Sequence, residues 1–118
     1  MKVRESAEDY LKTILALQKK LGEVRSVDVA NELEVSRPSV SNAVKKLRNE
    51  GLVDMGENHT LTLTKAGLEY AISIFERHVI IEMFLTGVLG VDEKTAHMDS
   101  CRLEHLISNT TFAKVRAN

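Results

Sequence analysis

With 118 residues, 43% of them hydrophobic, the chain has material for one compact core, or for a small domain with an appended helical segment. The formal net charge of −1, from 16 basic and 17 acidic residues, argues by itself against nucleic acid, so any such binding has to come from a local concentration of charge. A single cysteine excludes an internal disulfide, residues 1–8 are too charged for a secretory leader, and the longest apolar run (79–91) includes Glu82 and falls short of the ~18 residues of a membrane span, so a cytoplasmic protein with no membrane partner is expected.

Taken in chain order, Ser6-Ala7-Glu8-Asp9 outlines a capping box and predicts a first helix from Ser6. Leu11, Ile14, Leu15 and Leu17 form its apolar stripe, and Gly22 suits the position just past its end. Ser26 is the expected cap of a short second helix with Val27, Val29, Ala30 and Leu33 inward, followed by a turn at 34–36. A third helix takes Ser36 as its N-cap and Pro38 in its first turn, where a missing N–H is harmless. It runs through Val40, Val44 and Leu47 and stops at Gly51. The period then changes to two: residues 52–55 and 60–63 flank 56–59 and read as a two-stranded hairpin. Thr64 caps a long helix of roughly 20 to 25 residues reaching Leu89. Gly90 breaks it, and Asp92 caps a last helix ending near Ser108, with a partly helical tail to Asn118. The expected class is mainly α, a winged helix-turn-helix over 1–64 followed by a helical region over 65–118.

Two short helices, a tight turn, a third helix and a hairpin make a winged helix-turn-helix, in which the third helix enters the major groove with its N-terminal residues nearest the bases. Arg37, Ser39, Ser41 and Asn42 are the outward positions there. Arginine can pair with guanine O6 and N7, and asparagine with adenine N6 and N7. Lys45, Lys46 and Arg48 suit phosphates, and Asn58 and His59 of the hairpin suit the backbone or the minor groove. From Arg37 to Arg48 there are four basic residues and no acid, so double-stranded DNA is the expected partner of this one face. The plainer reading, a stable tri-helical fold with a solvated basic face, stands beside it.

The helical region carries a different chemistry. His97, Cys101, Glu104 and His105 fall at i, i+4, i+7 and i+8, which a 3.6-residue period gathers within roughly 100° of one face. Imidazole, thiolate and carboxylate on one stripe are what a transition metal needs and what a hydrophobic core does not want. His78 and Glu82 add an i, i+4 pair upstream. Singly, each has a plain explanation: Cys101 as a small buried hydrophobe, His78 and Glu82 as a helix-surface pair, Asp9 as part of the capping box. Their clustering favours a metal-binding surface, and a metal-binding surface beside a DNA-reading motif suggests a switch.

These residues together resemble the diphtheria-toxin-repressor or iron-dependent-repressor family, whose shorter branch includes the manganese transport regulators. The likeness covers residues 5–108. It rests on Glu8-Asp9-Tyr10-Leu11, the segment from Ser36 to Val44, Arg77-His78 with Glu82, Gly90-Val91-Asp92, and His97-x3-Cys101-Arg102-Leu103-Glu104-His105. The resemblance implies a metal-dependent transcriptional regulator rather than an enzyme: a homodimer that represses metal-uptake genes when metal is plentiful. It implies an ancillary metal site at His78, Glu82 and His97, and a primary, activating site at Asp9, Cys101, Glu104 and His105.

Three departures mark the primary site as a hybrid. Asp9 stands where iron-type members have Met and manganese-type members Asp, Cys101 where the manganese type has Glu, and Lys12 where the manganese type supplies a further carboxylate. A thiolate shifts preference from hard Mn²⁺ toward Fe²⁺, Co²⁺ or Zn²⁺. The expected corepressor is Fe²⁺ or Mn²⁺, with other divalent transition metals as candidates. Longer members add an SH3-like domain that donates ligands to the ancillary site; the present sequence stops before it, leaving completion by water, weak binding or a structural role open. The run Val79, Ile80, Ile81, Met83, Phe84, Leu85, Val88, Leu89 is apolar nearly all round, and a subunit interface would bury the excess. Three alternatives stay open: a winged-helix regulator not switched by metal, a pure dimerisation or interaction module, and a metal-dependent hydrolase. The last lacks an identifiable general base and cleft.

Overall fold

The stripe Leu11, Ile14, Leu15 and Leu17 becomes the buried face of the first helix, α1 (Lys2–Leu21), in a computed structural model that describes residues 2–118, with side chains from residue 7 onward. The expected Ser6 cap lies outside the described side chains, and the helix itself runs from Lys2, upstream of it. Gly22 ends α1 at φ +84°, donating its N–H to the Gln18 carbonyl at 2.9 Å. This left-handed conformation is one glycine adopts without steric cost.

Val24 and Arg25 form a two-residue strand, β1 (Val24–Arg25), which leads directly into α2 (Ser26–Leu33). The N-cap of α2 is Arg25, one residue before the expected Ser26. Arg25 is held extended by strand pairing, and its N–H is accepted by Asp28 Oδ2 at 2.9 Å. Glu34, in the left-handed region at φ 55°, ends α2 and opens the turn. The third helix, α3 (Arg37–Asn49), is capped as its sequence predicts, with Ser36 Oγ accepting the Ser39 N–H at 3.2 Å. Val40, Val44 and Leu47 point inward and are fully buried.

Strands β2 (Val53–Met55) and β3 (Thr60–Leu63) form the wing, in the antiparallel register Val53↔Leu63, Asp54↔Thr62, Met55↔Leu61. β1 adds to the other edge of β3, giving three strands in the order β1-β3-β2, where the sequence predicts two. A short 3-10 turn (Glu57–His59) closes the hairpin, with Asn58 and His59 both at positive φ.

Thr64 caps α4 (Lys65–Gly87), accepting the Gly67 N–H at 3.0 Å while its hydroxyl donates to the Gly51 carbonyl at 2.6 Å. Gly90 (φ +71°) ends the link to α5 (Glu93–Leu106), whose N-cap Asp92 accepts the Thr95 N–H at 3.0 Å. The tail forms a separate helix, α6 (Asn109–Ala117), capped by Ser108. The chain packs as two compact units, residues 2–72 and 73–118. In the first, the core gathers around Leu11, Ile14, Val29, Val40, Leu47 and Leu61.

Candidate metal centre and nucleic-acid interface

In the first unit, the inward valines and leucine of α3 turn its other face to solvent. Arg37, Ser39, Ser41, Asn42, Lys45 and Lys46 are all exposed, as is Arg48. Ser39 also contributes to the cap through a hydroxyl contact with Ser36 at 2.9 Å. The wing tip carries His59 at φ 59° and Asn58 at φ 57°; the left-handed region is uncommon outside glycine and accepts Asn more readily than most residues. The first unit therefore offers an exposed polar and basic helix and a kinked wing tip.

In the second unit, the i, i+4 spacings place donors of α4 against donors of α5. His78 Nε2 lies 2.9 Å from Glu82 Oε1, and the same oxygen lies 3.1 Å from His97 Nδ1. On their other nitrogens the two rings meet one sulfur: Cys101 Sγ is 3.9 Å from His78 Nδ1 and 3.9 Å from His97 Nε2. The donor atoms of His78, His97 and Cys101 all lie within 4.8 Å of one another. Glu104, only 1% exposed, has Oε2 at 3.3 Å from His78 Nδ1 and Oε1 at 3.3 Å from His105 Nε2. The His97 hydrogen bond, helped by the charge of the nearby His78 ring, holds the Glu82 carboxyl below the ordinary carboxylate range, against a smaller effect of desolvation.

Of the predicted donors, then, His78, Glu82, His97, Cys101, Glu104 and His105 converge in one region of the second unit. The sulfur stands with His78 and His97. Asp9 is a half-buried residue of α1 in the first unit.

Residues 2–61 match the iron dependent repressor N-terminal DNA binding domain, and residues 64–118 match the iron dependent repressor metal binding and dimerisation domain. The chain belongs to the iron-dependent repressor family. It is 34% identical to an uncharacterized HTH-type transcriptional regulator of Methanocaldococcus jannaschii, over 95% of this chain and 90% of that protein. It is 39% identical to the transcriptional regulator MntR of Escherichia coli O6:H1, over 96% of this chain and 72% of the relative. A solved manganese-dependent transcriptional repressor in complex with manganese superposes with a TM-score of 0.81 at 34% identity, over 94% of this chain; the chain spans about half, 51%, of that structure.

Iron-dependent repressors are transcriptional repressors and not enzymes, and their metal binding and dimerisation domain covers the converging donors. The donors fit a metal on their own chemistry. Carboxylates serve hard and borderline ions alike, but imidazole and thiol beside them favour a divalent transition metal over Ca²⁺ or Mg²⁺. The buried Glu104 carboxyl lies 3.3 Å from a ring nitrogen of His78 and 3.3 Å from one of His105, which gathers a carboxyl and two imidazoles in one place.

Two supporting roles, of Ser100 and Arg77, escape the sequence reading. Ser100, fully buried, donates its hydroxyl to the His97 carbonyl at 3.0 Å and sits 3.2 Å from His78 Nδ1. A small polar residue just before Cys101 on the inward face was the available signal. Arg77 donates to the Glu104 carbonyl at 3.0 Å and the Ile107 carbonyl at 2.9 Å. Its only sequence mark is its place beside His78. Among the described residues, no helix is long and apolar enough to cross a membrane.

Proposed function

We propose that this chain is a metal-dependent, DNA-binding transcriptional repressor of metal-uptake genes, with Fe²⁺ or Mn²⁺ as corepressor. The observation that carries the reading is the convergence of six donors from α4 and α5 in a chain whose other unit presents an exposed basic helix. His78, Glu82, His97, Cys101, Glu104 and His105 form the metal-holding set, and Asp9 joins it on the sequence resemblance. A bound divalent ion ties donors of α4 and α5 to one point, and so selects one arrangement of the chain from several.

Arg37, Ser39, Ser41 and Asn42 read base edges, and Lys45 and Lys46 neutralise phosphates. The functional division follows residues 1–64 for DNA and 65–118 for metal and dimerisation. A homodimer is supported by the exposed apolar residues Val79, Met83, Val88 and Leu89. Two recognition helices then address a pseudo-palindromic operator with half-sites one or more helical turns apart. A DNA target places the protein in the cytoplasm.

The test is an anaerobic selection of random duplex DNA run in parallel with Fe²⁺, with Mn²⁺ and with chelator. A palindromic consensus that emerges only with metal supports the reading, and the more effective ion identifies the signal. The same consensus with chelator would leave a winged-helix regulator that metal does not switch.

A further inference from the structure

The first unit holds a cleft of about 390 Å³ between α1 and α3, in the lower part of the roughly 300–1,000 Å³ range of small-molecule sites. Buried Tyr10 and half-buried Ala7 and Ala43 line its depth, and exposed Val35, Asn42 and Lys46 line its rim. Asn42 and Lys46 stand one helical turn apart on α3 and so share a face. Among the described residues, neither of these side chains nor the Tyr10 hydroxyl has a hydrogen-bond or ion-pair partner. Burial raises the pKa of the Tyr10 phenol, which keeps it an O–H donor at neutral pH. On a side chain only 6% exposed, that hydroxyl has little access to water, which favours a bound acceptor. No acid is among the lining residues; Glu8 of α1 instead accepts the Tyr70 hydroxyl.

The cleft thus sets an ammonium, an amide and a phenol beside the apolar surface of Ala7, Val35 and Ala43. A lone phosphate group would use the donors and leave the apolar surface uncovered, whereas an organic acid with a flat apolar body uses both. We propose that this cleft binds a small aryl carboxylate, its charge at Lys46 and Asn42 and its body against Ala43 and Val35. The proposal rests on the DNA-binding reading and adds a regulation to it. Asn42 and Lys46 are the side chains assigned above to a base edge and a phosphate, so an occupied cleft and a bound duplex exclude each other. The carboxylate then acts as a releasing signal on the reading helix itself, separate from the metal donors of the second unit.

Titration of the whole chain with cinnamate, without metal or DNA and followed by backbone-amide NMR, tests this. Saturable shifts are expected at Tyr10, Val35, Asn42 and Lys46. Cinnamamide, the neutral counterpart, is expected to bind about 2–5-fold more weakly, the worth of an ion pair at an exposed ammonium. Tyr10→Phe is expected to weaken cinnamate by about 2–12-fold, the range for one lost hydrogen bond. Ala43→Leu, which fills the cleft, is expected to abolish the shifts and keep duplex binding; Tyr10→Phe carries the comparison alone if that variant does not fold. Cinnamate at ten times its Kd is expected to weaken wild-type binding to the selected duplex by about tenfold, by mass action. Absent or scattered shifts overturn the proposal, as do shifts unchanged in both variants. Equal binding of cinnamamide overturns the anionic class. Shifts of the same size with inorganic phosphate would make the cleft a plain phosphate contact, and cinnamate binding without effect on the duplex would overturn the exclusion. The NMR titration uses neither metal nor DNA, so a chain that selects no duplex would refute the regulator reading without touching this result.

Discussion

Arg77 precedes His78 on α4 and directs its guanidinium at the end of α5. The last carbonyls of a helix lack partners within it, and Arg77 donates to two of them, Glu104 O at 3.0 Å and Ile107 O at 2.9 Å. The Phe112 ring of α6 lies 5.0 Å from the guanidinium carbon, which ties the tail to the same side chain. Arg77 thus fixes the turn of α5 that bears Glu104 and His105. Arg77→Ala should lower stability by about 1.5–3 kcal/mol, the range for hydrogen bonds to a charged group. Arg77→Lys should recover only part, because an ammonium lacks the planar fork. Urea unfolding followed by circular dichroism reads both, and an unchanged midpoint in Arg77→Ala would contradict this role.

At the other end of α5, the Thr95 N–H holds the Asp92 carboxyl below the ordinary aspartate range. A folded value below the unfolded one makes the contribution of this cap fully present above pH about 4 and lost as pH falls through the lowered folded value. Asp92→Asn keeps a capping oxygen without the charge. It should flatten the acid side of the melting-temperature profile, and a profile identical to wild type would count against the cap.

At the scale of elements, the close approach of α4 to the segment before β2 depends on one missing side chain. A Cβ on Gly67 would lie 1.9 Å from the Leu52 carbonyl oxygen, a backbone atom that cannot swing aside. Gly67→Ala should therefore cost at least the roughly 1–3 kcal/mol of an overpacked core, read as a lower urea midpoint; a neutral effect would mean that the helix and the segment separate cheaply. The caps at Ser36, Thr64 and Asp92 and the wing hairpin were legible because each is encoded by residues close together in sequence. β1 was not: two residues carry no readable alternation, and its pairing with β3 joins Val24 to Leu61 across the chain. The same pairing moved the α2 cap from Ser26 to Arg25. The separate α6 was hidden because Ser108 reads equally well as the end of α5 and as a new cap. That His97, Cys101, Glu104 and His105 share one helix was legible from their spacing alone. The position of the sulfur was not, because it depends on how α4 and α5 face each other.

For the whole molecule, Val79 and Met83 of α4 and Val88 and Leu89 just after its end are between 51% and 65% exposed. That is more apolar surface than a solvated helix needs, and a second copy of the chain is the occupant proposed above. Met83→Glu, at the most exposed of these positions, should shift the protein from dimer to monomer in sedimentation velocity while leaving its circular dichroism unchanged. A wild-type chain that sediments as a monomer would contradict the dimer.

Metal held by α4 and α5 is proposed to control DNA affinity. The most direct test is equilibrium binding of the whole chain to the selected duplex, by fluorescence anisotropy under anaerobic conditions, with metal and with chelator, for wild type and Glu104→Gln. Metal is expected to tighten wild-type binding by about 5–150-fold, the usual range of coupling between two sites, and Glu104→Gln to lose this response while keeping the chelator-state affinity. Equal wild-type affinity with and without metal, or an undiminished metal response in Glu104→Gln, would contradict it.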